Sequence, residues 1–126
     1  MWLDELQSFL GDALTPPVFI AFLPEQPDDA VAIYDAGGDP LVQGAAVPWS
    51  EHRFEVRVRA TTYASAGTIA STIYALIDHK AGIEIGSEDA EFIRPLSAPF
   101  LLERDKERRV VFMIRAMVAL KRDPLY

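Results

Sequence analysis

Two histidines, His52 and His79, are the chain's whole supply of imidazole. They fall in different predicted elements, with no companion at metal-ligand spacing, so both read as surface side chains rather than ligands. Asp78 precedes His79, but neighbouring residues on a helix point apart, and no serine sits in a Gly-x-Ser-x-Gly turn, which removes a triad. Gly37-Gly38 lacks the lysine of a phosphate-binding loop and the spacing of a dinucleotide fingerprint, and reads as a turn. Carboxylates pair at Asp28 and Asp29 and cluster at Glu88, Asp89 and Glu91, where they could share acid and base roles or hold a hard cation. Both stretches read as solvated turns, and no cofactor, metal or catalytic constellation is expected. The nearest approach to a basic patch is Arg53, Arg57 and Arg59, interrupted by Glu55. These arginines fit cross-strand pairing with carboxylates or contact with another subunit, where arginine is enriched. The charged run from Glu103 to Arg109 reads as a solvated hairpin tip, with a partner contact as its second use.

The composition narrows the classes further. A chain of 126 residues, half of them hydrophobic, fits one compact domain over residues 1–126. The absence of cysteine excludes a disulfide framework, thiolate catalysis and thiolate-bound zinc. A net charge of −7 argues against tight duplex binding but does not prevent DNA from passing nearby. Acids in Met1-Trp2-Leu3-Asp4-Glu5-Leu6 stand where a secretory signal carries lysine or arginine, and no apolar run approaches the roughly 20 residues that span a bilayer. A soluble product of the cytoplasm is the expectation, with no membrane partner.

The elements that must position these side chains follow from periodicity. Residues 2–14 place Trp2, Leu3, Leu6, Phe9, Leu10, Ala13 and Leu14 on one helical face, and Pro16-Pro17 stops that helix. Such a helix docks on its own sheet or serves as a detachable partner-binding helix; docking is the commoner use. Val18–Leu23 and Ala30–Tyr34 read as two strands of a hairpin joined by a loop of proline and carboxylates. From Gly37 to Ser50 the sequence reads as a long loop with an extended piece at Leu41-Val42-Gln43, either a binding or assembly element or a plain connection. Arg53–Arg59 alternates strictly, with Phe54, Val56 and Val58 on one face. Thr61 and Thr62 then offer caps to a helix predicted from Tyr63 to Lys80, stopped by Gly82. A brief strand at Ile83–Ile85, a turn at Ser87–Glu91 and an extended, proline-marked sheet edge at Phe92–Pro99 follow. After Phe100–Leu102 and the charged turn comes a long strand, Val110–Leu120, apolar on both faces. Such a strand is covered on both sides within its domain, or on one side by another subunit.

Several of these pieces together resemble the tail terminator proteins of long-tailed bacteriophages, a group that includes phage minor capsid or tail completion proteins. They are Phe22-Leu23-Pro24 followed by Asp28–Asp35 and the Gly37-Gly38 turn; Val56-Arg57-Val58-Arg59 followed by Tyr63 and Ala66; and Pro99-Phe100-Leu101 leading through Arg104-Asp105 to Arg109–Phe112. They stand in the order the family shows and cover most of residues 18–118. These are structural turns and strand patterns, and their combination at this length carries the resemblance.

The resemblance implies a small α+β domain, a mixed or mainly antiparallel sheet with two main helices packed on it. It implies a homo-oligomer, a hexameric ring on the end of the tail tube that stops tube polymerisation and joins the head-tail connector protein, while DNA passes through the lumen without specific binding. The place implied is the virion's head-tail junction, after synthesis in the host cytoplasm from a phage or prophage gene. By residue type the candidate interface set is Leu41, Val42, Arg57, Arg59 and Arg115. The alternatives are a head-tail connector or tail completion factor of the same assembly, and, in a different class, a small ligand-binding or enzymatic α+β domain.

Overall fold

The computed structural model describes residues 2–38, 49–85 and 88–121. Two helices and seven strands follow one another as α1 (Trp2–Ala13), β1 (Val18–Ile20), β2 (Ala30–Gly38), β3 (Trp49–Ala60), α2 (Tyr63–Ile77), β4 (Lys80–Ile85), β5 (Glu88–Pro95), β6 (Phe100–Arg104) and β7 (Val110–Lys121). The sheet order is β1-β2-β3-β7-β5-β4, with β6 also paired to β7. The fold is therefore α+β, with a mostly antiparallel sheet. Leu41 and Val42 lie outside the described residues.

Alternation in β3 and β7 builds the core. Phe54, Val56, Val58 and Ala60 register against Ala116, Ile114, Phe112 and Val110 on one face of the sheet. Leu3, Leu6 and Leu10 of α1 and Ala66, Ala70, Ile73 and Ile77 of α2 bury against that same face, so both helices form one layer. Thr62, extended at φ −127° and ψ 155°, caps α2 by accepting the Ser65 backbone N–H at 3.1 Å.

Several expectations change. Residues 18–34 are not a hairpin: β1 runs parallel to β2, in register Val18↔Val31, Phe19↔Ala32 and Ile20↔Ile33. Ala21, at φ 67°, turns the chain out after Ile20, ending the strand before Leu23, and the 24–29 loop carries it back to the start of β2. The second helix ends at Ile77 rather than Lys80. Asp78 is extended and His79, at φ 52°, takes the left-handed role expected of Gly82, which lies inside β4. Pairing of Lys80 with Ile93 takes over there. Glu88–Glu91 is strand rather than turn, and β5 is an interior strand between β4 and β7. The prolines mark a crossing instead of a sheet edge: after Pro95 the N–H groups of Leu96 and Ser97 both donate to the Arg115 carbonyl, at 2.6 and 3.3 Å, and the chain then rejoins β7 as β6.

Candidate assembly face

No helix covers the second face of the sheet among the described residues, yet β7 is buried there too: Val111, Met113, Met117 and Ala119 are each at most 5 % exposed. Their cover comes from neighbouring strands. Met113 lies between Arg57 of β3 and Phe100 of β6, and Met117 between Arg53 of β3 and Arg94 of β5. Long arginine stems shield apolar surface while their heads stay wet. Two of these arginines and Arg115 of β7 also lie over aromatic rings: Arg57 over Tyr34 at 4.6 Å, Arg94 over Phe92 at 5.8 Å and Arg115 over Phe100 at 5.6 Å. Phe19 continues that face through Ala32 to Arg57, and its ring lies 5.7 Å from that of Phe22, which is 56 % exposed.

Arg57 and Arg115 are brought onto this one face with Glu55 between them. Glu55 is the register partner of Arg115 and meets Arg57 Nη2 at 3.4 Å. That contact is long, and Arg57 Nε is buried with no hydrogen-bond partner among the described residues. A buried donor left unmatched is unusual. Burial pushes the Tyr34 hydroxyl above its ordinary value, against the opposing pull of Arg57.

Arg59 has a different use. It is 3 % exposed and donates from Nε to the Asp28 carbonyl at 3.0 Å and from Nη2 to the Pro27 carbonyl at 2.6 Å. Burial, and next the charge of Arg109, lower its pKa, though a guanidinium stays cationic throughout. Sequence reasoning missed its companion, Arg109. The run from Glu103 to Arg109 is not a freely solvated tip, because Arg109 is 6 % exposed and turned inward. It donates to Asp105 at 2.8 Å, to the Glu25 carbonyl at 2.6 Å, and to Asp28 and Glu107 at 3.2 Å each. Burial alone would raise the Asp105 carboxyl, but bonds from the Arg109 backbone and guanidinium hold it below the usual carboxylate range. The signal available in sequence was Asp105 four residues before Arg109, a spacing that a helix or tight turn can close.

Between this clasp and Tyr34 lies an open cleft of about 630 Å³, rimmed by Phe22, Leu23, Arg57 and Leu102. The charges on its floor, Arg59, Arg109 and Asp105, are engaged with one another's loops. Of the two histidines, His79 is exposed as expected, and His52 departs from the expectation. His52 is half-buried, with its ring 5.1 Å from Trp2 and Nε2 3.0 Å from Ser50 Oγ. His79 and Asp78 touch through Nδ1 and Oδ1, because the helix has already ended before them. Among the described residues no cluster of three or more His, Cys, Asp or Glu could hold a metal, and no helix is long and apolar enough to cross a membrane.

Comparison with known proteins gives the context for this face. A family model described as "Bacteriophage tail terminator protein" matches residues 6–121. No curated protein matches the chain in sequence. Among solved structures, a chain of the virion of a native gene transfer agent particle superposes with a TM-score of 0.62 at 13 % identity, covering 95 % of this chain and 91 % of that one. A second solved chain gives a TM-score of 0.60 at 17 % identity, covering 96 % and 91 %. At these identities the likeness is one of fold.

Proposed function

Because the chain belongs to the bacteriophage tail terminator family, with a role in tail assembly, we propose that it acts as a closed, hexameric ring that caps the tail tube. In this reading the ring ends tube polymerisation and offers the surface on which the head-tail connector joins. The observation that carries the reading is the family match across residues 6–121. The open sheet face supports it, since arginine and aromatic side chains are the types enriched where proteins meet. Arg57 supports it further, as a cation whose buried Nε lacks an acceptor among the described residues.

The interface is assigned to Arg57 and Arg115 on the open face, together with the segment around Leu41 and Val42. Arg59 belongs to the same set as a positioning residue, because its guanidinium holds the 27–28 backbone beside the face. The work is done by assembly, with no cofactor, and DNA passes through the lumen unread. A chain of charge −7 does not trap a moving polyanion. The ring sits at the head-tail junction of the virion. Mixing the protein with purified tail tubes that lack their terminator tests the reading. Ring-capped tubes of fixed length are expected, and tubes that keep growing in its presence would refute it.

A further inference from the structure

The two layers of the domain differ in charge. α1 carries Asp4, Glu5 and Asp12 and no lysine or arginine, and α2 carries no charged residue at all. The centre of the open sheet face, around Met113 and Met117, by contrast gathers Arg53, Arg57, Arg94 and Arg115 against Glu55, while Glu51, Glu84, Asp89 and Glu103 lie toward its ends. A protein with net charge −7 therefore presents a basic centre on its open sheet face and an acidic, otherwise neutral layer on the other side. Asp12 adds a detail that helix physics does not explain. It lies exposed in the last turn of α1, where the helix dipole favours cations, and no basic residue in that turn offsets it.

We propose that neighbouring copies in the ring meet head to tail, the arginine-bearing sheet face of one lying against the acidic outer side of α1 of the next. The proposal rests on the ring reading above and adds which surfaces face each other. Copies of a chain this acidic repel one another on average, so a contact between them is favoured where opposite signs meet. A contact between two different patches is heterologous, and heterologous contacts propagate around a ring when the rotation closes. The occupant also suits the face chemically. Carboxylates on α1 can accept from the guanidinium groups of Arg57 and Arg115, which an uncharged surface would leave desolvated without a partner.

The test uses three variants of the full chain beside the unaltered protein, each first shown to be folded by circular dichroism. One reverses the sheet face (Arg57→Glu with Arg115→Glu), one reverses α1 (Asp4→Arg with Asp12→Arg), and the third combines all four. Subunit association is read by sedimentation and native mass spectrometry, with terminator-free tail tubes added where the unaltered chain needs them. Each single-face variant is expected to associate at least about tenfold more weakly than the unaltered chain. The combined variant is expected to regain association, because both signs have been exchanged. An equimolar mixture of the two single-face variants is expected to assemble as an alternating ring, since the reversed sheet of one meets the reversed helix of the other and the two unaltered faces still match. If charge reversal on the sheet unfolds the chain, Arg57→Gln with Arg115→Gln replaces it, with weakening expected in the same direction. Single-face variants that assemble as well as the unaltered chain, or a defect confined to one of the two faces, would overturn the head-to-tail facing and leave the ring reading intact. An unaltered chain that stays monomeric with and without tubes would overturn both.

Discussion

Arg109 closes the turn between β6 and β7 onto Asp105 twice, its guanidinium Nε donating to one carboxylate oxygen and its own backbone N–H to the other, each at 2.8 Å. The same guanidinium reaches the Glu25 carbonyl, 84 residues away in sequence, at 2.6 Å. One side chain thus ties the hairpin to the loop that makes β1 parallel to β2. Replacing it with methionine keeps the apolar stem and removes the clasp. Arg109→Met is expected to lower the thermal midpoint by several degrees and to raise hydrogen exchange in residues 24–29 and 105–109 ahead of the core strands. Unchanged exchange in the 24–29 loop would show that the clasp does not hold it.

The clasp also sets a pH dependence. Asp105 has a folded pKa below its unfolded value, so its contribution is fully present above the ordinary carboxylate range, near pH 4, and is lost as pH falls through the depressed folded value. Urea unfolding between pH 7 and pH 2 should therefore show stability falling on the acid side. In Asp105→Asn that part of the acid slope should disappear, with lower stability already at pH 7.

Thr62 caps the first turn of α2, its hydroxyl accepting the Ser65 backbone N–H at 3.1 Å. Thr62→Ala is expected to cost about 1 kcal/mol and Thr62→Asp to restore most of it, as read by urea melts at pH 7.

Two glycines make opposite predictions. A Cβ added at either Gly67 or Gly82 meets nothing within 4 Å, so only backbone preference distinguishes them. Gly67 is helical, and Gly67→Ala is expected to stabilise the fold by roughly 0.5–1 kcal/mol. Gly82 sits at φ 59°, and Gly82→Ala is expected to destabilise by about 1 kcal/mol. The difference in unfolding midpoint between the two variants checks both signs at once.

What could be read in advance was whatever periodicity determines. Phe54, Val56 and Val58 on one face of β3, the amphipathic α1 and the twelve-residue β7 all follow from local alternation and spacing. What could not be read was set by distant partners. β1 and β2 look like a hairpin because short apolar runs do not encode strand direction, and the loop between the parallel strands is held by Arg59 and Arg109, which are distant in sequence. The end of α2 was misplaced because His79 took the left-handed conformation that glycine ordinarily takes. Residue type put Arg57, Arg59 and Arg115 forward together as candidates, and burial separates Arg59 from the other two. The stacking of Arg57 on Tyr34 and of Arg115 on Phe100 depends on register between β2 and β3 and between β6 and β7, which no local pattern specifies.

The most direct test of assembly is native mass spectrometry across a concentration series, with negative-stain images of the same sample alone and mixed with terminator-free tail tubes. The expected result is a closed ring of six with a central hole, free or seated on the tube end. A strict monomer at high concentration that leaves the tube ends bare would contradict the assembly function.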